Sequence, residues 1–238
     1  TQPSLTVLPE NPKTGDDITA TAMGSTDADG GNVTYSYEWV YGSTTVNGST
    51  LSNSSTEKGQ VWTVIATPND GTSDGPSVSQ TVTIGNTAPD SLVVTITPST
   101  GVYNDSELTC TTTANDVDIA DSLEYTYEWS TGETTETIIL NDSLNPTDSV
   151  TCTATVTDGT DSISDMTSIT LENRLPVVDS ISITPDSVNV GEHTFNCEVE
   201  TSDVDGDDIE VSYEWTIDGT PQQETSNMLS GSFALGMV

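Results

Sequence analysis

Along most of this chain apolar and polar residues alternate one for one, the period-2 pattern of half-buried β-strands. The clearest run is written three times, as Tyr35-Ser-Tyr-Glu-Trp39, Tyr125-Thr-Tyr-Glu-Trp129 and Val211-Ser-Tyr-Glu-Trp215. In the second copy Tyr125, Tyr127 and Trp129 share one face, with Thr126 and Glu128 on the other. The tryptophans stand 90 and then 86 residues apart. A recurrence of that length means that a whole small β-domain repeats, with this strand at its centre.

The flanking pattern predicts the other strands. Residues 5–7, 18–22, 35–39, 61–67 and 78–84 read as strands of a first repeat, and the Gly/Ser/Asn-rich stretch 42–55 as loops with one short edge strand. A second repeat has strands at 92–97, 108–114, 123–129, 135–140, 150–157 and 166–171. A third has them at 181–184, 194–200 and 210–217, without closing strands. Short strands with turn signals every 8–12 residues describe β-sandwiches, and no window shows a sustained helical period. The expected fold class is therefore all-β, three sandwiches in tandem with the third incomplete at its C-terminal end. The repeats are placed at 1–86, 87–173 and 174–238, with proline-bearing linkers at Pro89 and Pro176 that restrict hinging.

Composition narrows the function. Thirty-eight acidic against 3 basic residues give a net charge of −35. Such a surface repels nucleic acid and anionic lipid, and the chain has no basic cluster to neutralise phosphates. Nothing in the sequence suggests direct membrane insertion. Self-repulsion among the carboxylates calls for screening by salt, by divalent cations or by spacing along an elongated molecule. The chain reads as a portion of something longer.

The cysteines add a further pattern. Cys110 falls on the second strand of the middle repeat, Cys152 on the strand starting near Ser149, and Trp129 lies between them. In this arrangement the repeat resembles immunoglobulin-like sandwiches, and the resemblance implies a Cys110–Cys152 disulfide. Alignment of the repeats sets Ala20 at the position of Cys110 and Val64 at that of Cys152, so both positions face a core. A bridge closing a loop of about 42 residues contributes about 4 kcal/mol in the chain-entropy model. Cys197 takes the second-strand position of the third repeat, unpaired in this segment. Its partner would fall near or just past Val238, or it is a free buried thiol.

The whole chain also resembles the tandem immunoglobulin-like and PKD-like (cadherin-like) repeats of microbial extracellular surface and fibre proteins. The likeness is carried by the Asp-x-Asp-Gly turns, Asp27 to Gly30 and Asp203 to Gly206, and by the Asn86-Thr-Ala-Pro89 linker. It departs from the PKD pattern after Trp129, where Ser-Thr-Gly-Glu follows. The resemblance implies a non-catalytic structural segment of an extracellular fibre, stalk or surface layer, on or secreted from a microbial cell. A disulfide fits that oxidising compartment. The expected partners are further copies of the same repeat, by self-association or continuation of the array, and glycans. The open third sandwich either simply ends or accepts a neighbour's strand beside residues 211–217. The alternative function is an adhesin module binding carbohydrate or protein, which would need outward aromatics; Tyr41 and Tyr103 are the candidates.

Three acidic turns precede the central strands: Asp27 and Asp29; Asp116, Asp118 and Asp121; Asp203, Asp205, Asp207 and Asp208. Alternate aspartates on a tight turn offer the hard oxygens that Ca²⁺ prefers. Glu214 stands twelfth from Asp203, but the sixth residue is Asp208 rather than Gly and a strand follows, so this is not an EF-hand. Structural Ca²⁺ and a solvated turn chosen for its backbone geometry are the two readings. Acids near the linkers (Asp70, Asp90, Asp158, Glu172, Asp179) could share an ion between repeats. No other cofactor is expected.

Five Asn-x-Ser/Thr sequons, at Asn32, Asn47, Asn53, Asn104 and Asn141, are candidate glycan acceptors. Catalysis finds no support: the single histidine is His193, and no Ser–His–acid set, zinc spacing or phosphate loop can be assembled.

Overall fold

The computed structural model describes residues 1–233, and the expected end of the third repeat, residues 234–238, lies outside the described residues. The chain is all-β, a tandem of immunoglobulin-like sandwiches. It gathers into two compact units. The first holds Thr1–Thr95, Cys110–Glu136 and Cys152–Thr167; the second holds Ile96–Thr109, Thr137–Thr151 and the chain from Ser168 onward.

The first repeat, all of it in the first unit, holds β1 (Ser4–Leu8), β2 (Ile18–Met23), β3 (Thr34–Tyr41), β4 (Thr44–Asn47), β5 (Thr50–Leu51), β6 (Val61–Asn69) and β7 (Val78–Thr83). They form two sheets, β1-β2-β5 and β4-β3-β6-β7. The loop-rich stretch 42–55 holds two short strands and a 3₁₀ turn, Asn53–Ser55, rather than one edge strand. Alternation decides which residues enter. Ile18, Ala20 and Ala22 of β2 face inward, as do Trp62, Val64 and Ala66 of β6, and with Val7, Trp39, Leu51, Val82 and Ile84 they supply the core.

Tyr35 and Tyr37 of β3 are half-buried and send their hydroxyls across to β2 and the turn that follows it. Tyr37 Oη accepts from the Ala22 N–H at 2.8 Å and Tyr35 Oη from the Ser25 N–H at 3.0 Å. That satisfies a polar tip inside an apolar layer and ties the sheets together.

The middle repeat contributes β8 (Asp90–Thr97), β9 (Glu107–Asn115), β10 (Glu124–Trp129), β11 (Thr137–Ile139), β12 (Ser149–Thr157) and β13 (Ser162–Thr170), in sheets β11-β9-β8 and β10-β12-β13. Trp129 is paired with Cys152 just as Trp39 is paired with Val64, so the repeats share one register. Cys110 and Cys152, both in the first unit, form a disulfide with a Cα–Cα distance of 6.4 Å.

The third repeat, in the second unit, carries β14 (Val177–Thr184), β15 (Gly191–Ser202), β16 (Thr216–Ile217), β17 (Thr220–Pro221) and β18 (Met228–Phe233) among the described residues. One sheet forms, β14-β15-β18, beside the small hairpin β16-β17. The expected strand at 210–217 is paired only at its last two residues. In the first two repeats this strand is held by β6 or β12. Among the described residues of the third repeat no such strand pairs with 211–215, so its backbone lacks a ladder. The core there is small (Cys197, Trp215, Leu229), and β14 is exposed along its whole length.

All three indoles of the repeated motif are buried, and each N–H donates to a loop carbonyl: Trp39 to Gly48, Trp129 to Thr135, Trp215 to Ser226.

Candidate functional site

The acidic turns draw the chain's most concentrated chemistry together. Their leading aspartates serve the turn itself. Asp27 accepts from the Asp29 and Gly31 N–H groups, Asp116 from Asp118 N–H at 2.7 Å, and Asp203 from Asp205 N–H at 2.7 Å. This is the local side-chain-to-backbone bonding that favours aspartate in turns. The second aspartates differ. Asp29 is exposed, whereas Asp118 and Asp205 are buried at 4% and 6% exposure.

At the first junction both Asp118 oxygens are taken by protein donors. The Thr14 hydroxyl donates to Oδ1, and the backbone N–H of linker residue Thr87 donates to Oδ2 at 2.7 Å. The next linker contact is Asn86, whose amide donates to Asp158 at 2.8 Å and to Asp161 at 2.9 Å. Lys58 pairs with Asp121 at 2.8 Å. The Asn86 amide, with the N–H groups of Asp161 and Thr160 and the charge of Lys58, holds the Asp158 carboxyl down at about 2. Burial pushes the Asp116 carboxyl up, reinforced by the charges of Asp118, Asp158 and Asp121.

Carboxylate oxygens of Asp116, Asp121 and Asp158 lie within 4.8 Å of one another. Asp118, expected as a ligand, accepts from Thr14 and from the linker, and Asp121 and Asp158 stand beside Asp116. Asp116 Oδ2, Asn86 Oδ1 and Thr87 Oγ1 are buried oxygens without a hydrogen-bond partner. Sequence reasoning missed Thr14, Lys58 and Asn86. The equal spacing of the linkers from the turns that follow them was the available signal.

The second junction repeats the plan with different donors. Arg174, at the linker position of Thr87, donates its backbone N–H to Asp205 Oδ2 at 2.5 Å and its Nη1 to Oδ1 at 3.1 Å. Its Nη2 pairs with Asp105, and the guanidinium lies 4.2 Å from the Tyr103 ring centroid. Asn104 takes the place of Thr14, its amide donating to the Asp205 carbonyl at 2.9 Å. Asp203, Asp205 and Asp207 form the second carboxylate triplet within 4.8 Å. Burial raises the Asp207 carboxyl, with the neighbouring aspartates adding to it. Among the described residues Asp27 and Asp29 join no such triplet.

The remaining candidates fall out as follows. Cys197 is buried and free. Its N–H bonds to the Asn227 carbonyl as Cys110 N–H bonds to Glu136 and Ala20 N–H to Ser49, which places the three on one structural position. Asn32, Asn47, Asn53 and Asn141 are exposed, with Asn53 donating to the Gly15 carbonyl. Asn104 differs from them: it is 4% exposed and its amide donates to the Asp205 carbonyl. Tyr103 lies under Arg174 and Tyr41 packs at 5.5 Å against Trp62, so neither aromatic stands alone on the surface. His193 bonds to the Asn189 carbonyl at 2.5 Å. A cavity of about 780 Å³ opens beside the first junction between Thr14, Asn53, Lys58 and the Val117–Asp121 loop. Among the described residues no helix is long and apolar enough to cross a membrane.

No protein-family model matches this chain, and no curated protein sequence matches it. Solved structures do. The chicken CNTN1 FN1–FN3 domains are 13% identical with a TM-score of 0.30, over 73% of this chain and 68% of that one. The three N-terminal domains of the bacteriophage RB49 highly immunogenic outer capsid protein (Hoc) are 21% identical with a TM-score of 0.29, over 91% and 73%. The N-terminal eight Ig domains of Down Syndrome Cell Adhesion Molecule (DSCAM) isoform 1.30.30 are 13% identical with a TM-score of 0.28, over 89% of this chain and 31% of that one. All three are multi-domain segments, and at these scores the likeness carries nothing about what this chain binds.

Proposed function

We propose that this chain is a non-catalytic, load-transmitting segment of an extracellular fibre, stalk or surface layer, extended by further repeats of the same kind. The observation that carries the reading is the duplicated junction: at both linkers a backbone N–H is anchored on a buried carboxylate of the next acidic turn. A linker fixed in this way resists bending, which is what a spacer requires and a hinged binding module does not. The disulfide fits an oxidising, extracellular setting, and the exposed sequons Asn32, Asn47, Asn53 and Asn141 suit glycosylation. The outward aromatics that an adhesin reading needs are engaged with neighbours. Immunogold labelling of intact source cells tests the role. The expected result is label on a surface fibre, stalk or layer; label confined to the cytosol overturns it.

The first junction also fits a divalent cation. Its donors are all hard oxygens, and the partnerless Asp116 Oδ2 is what such an ion would satisfy. Asp116, Asp121 and Asp158 would hold it, and Ca²⁺ there would offset the burial and the neighbouring charges that raise the Asp116 carboxyl. Calorimetry with CaCl₂ and then EGTA checks this: Ca²⁺ raises the wild-type midpoint, whereas Asp116→Asn stabilises the ion-free chain at neutral pH and abolishes the response. A midpoint indifferent to Ca²⁺ in the wild type refutes the site.

A further inference from the structure

We propose that Arg174 is a built-in counter-ion that closes the second junction without a metal, so that the two junctions of this chain answer to different ions. Only the contrast between junctions rests on the cation reading above; the role of Arg174 stands on its own contacts.

The two junctions are built on one plan. Thr87 and Arg174 are 87 residues apart, and so are Asp118 and Asp205, the carboxylates that receive their backbone N–H groups. At the first junction the donors to Asp118 are neutral, a hydroxyl and an amide. Lys58 pairs with Asp121, and Asp116 Oδ2 is left buried and partnerless. At the second junction the linker residue itself returns a full positive charge to the carboxylate that anchors its backbone. The guanidinium bridges Asp205, on the turn of the third repeat, and Asp105, on the preceding loop, while its face covers Tyr103.

A planar fork with five N–H donors can serve two carboxylates and stack at once; an ammonium cannot. The arginine side chain is 23% exposed, and its Asp205 partner 1%. No carboxylate oxygen of Asp203, Asp205 or Asp207 is among the buried atoms without a partner. Arg174 is the single arginine in a chain with 3 basic residues, the others being Lys13 and Lys58. It stands between two carboxylates of that acidic chain.

The scarcity of basic residues supplies the assay, because trypsin has only three bonds to cut, after Lys13, Lys58 and Arg174. A guanidinium held by Asp105, Asp205 and Tyr103 must leave all three before a protease can take it. Cleavage after Arg174 therefore reports how often the junction opens. In the wild type that cleavage is slow and changes by less than about twofold between CaCl₂ and EGTA. Asp105→Asn and Asp205→Asn each raise it about tenfold or more, and Arg174→Lys, which keeps the charge but loses the fork, also raises it.

The circular-dichroism melting curve of each variant is the control for unfolding, since Lys13 lies in the first unit and Arg174 with its partners in the second. If Asp205→Asn has lost the second unit's transition, that variant has unfolded, and the exposed-partner variant Asp105→Asn together with Arg174→Lys decides. Acceleration of the Arg174 cut by EGTA in the wild type overturns the proposal, as do unchanged rates in Asp105→Asn and Arg174→Lys. Failure of the first-junction cation would appear separately, as a wild-type melting midpoint indifferent to Ca²⁺, and would leave the Arg174 result standing.

Discussion

The disulfide lends itself to a quantitative test because the chain contains its own unbridged control. Cys110 and Cys152 are fully buried, and the first repeat fills the same positions with Ala20 and Val64, at 1% and 0% exposure. Position for position the match is close. Trp129 pairs with Cys152 as Trp39 pairs with Val64, and the Cys110 N–H reaches Glu136 at 2.9 Å as the Ala20 N–H reaches Ser49 at 2.8 Å. The variant Cys110→Ala/Cys152→Val therefore gives the middle repeat a pair that this sandwich already accommodates, without a buried polar atom or an overpacked side chain.

What it removes is the constraint on the unfolded chain. The bridge spans 42 residues, and a loop of that size contributes about 4 kcal/mol. For a domain of fewer than 100 residues each kcal/mol moves the midpoint by about 4–8 °C, so the fall is about 15–30 °C. Scanning calorimetry with and without reductant measures it. Reductant lowers one transition of the wild type by that amount, the double variant melts at the lowered temperature, and reductant does nothing more to it. The transition that stays in place is the internal reference. A wild type whose transitions all ignore reductant, or a double variant that melts like the oxidised wild type, would refute the reasoning.

Two further outcomes follow from the electrostatics. Asp158 is held at about 2 by Asn86 first, then by the Asp161 and Thr160 N–H groups. A depressed carboxyl contributes stability that is complete above its unfolded value, near 3.8, and is lost as pH falls through about 2. Asn86→Ala should move the Asp158 titration toward 3.8 by carboxyl NMR, and a midpoint still near 2 would count against this cause. With 38 acidic and 3 basic residues, raising NaCl from about 0.01 M to 1 M, which shortens the screening length from about 30 Å to 3 Å, should raise the melting temperature. A flat or falling midpoint would show that the carboxylates are not repelling one another in the folded chain.

The strands were legible because a half-buried sheet imposes period 2 on the residues that build it. Val150, Cys152, Ala154 and Val156 of β12 are buried, and the threonines between them are not. Tyr35 and Tyr37 share the face of Trp39 by the same alternation, but their hydroxyl contacts were not visible, since the N–H groups they reach lie on β2 and the turn after it. The third repeat misled the reading at 211–215. Its alternation is intact, but a strand is made by its neighbours, and among the described residues that segment has none along its ladder.

By itself, then, the sequence determined the all-β class, the threefold recurrence and the buried indoles, because each is encoded in spacing along one chain. Tertiary structure alone decided what the acidic turns do. Asp116, Asp118 and Asp121 look interchangeable on paper, being three carboxylates within six residues. Folding brings Thr14, Thr87 and Lys58 against two of them and leaves one oxygen of the third buried without a donor. The partners that set a carboxylate's role come from up to 104 residues away, and electrostatics depends on distance through space rather than along the chain.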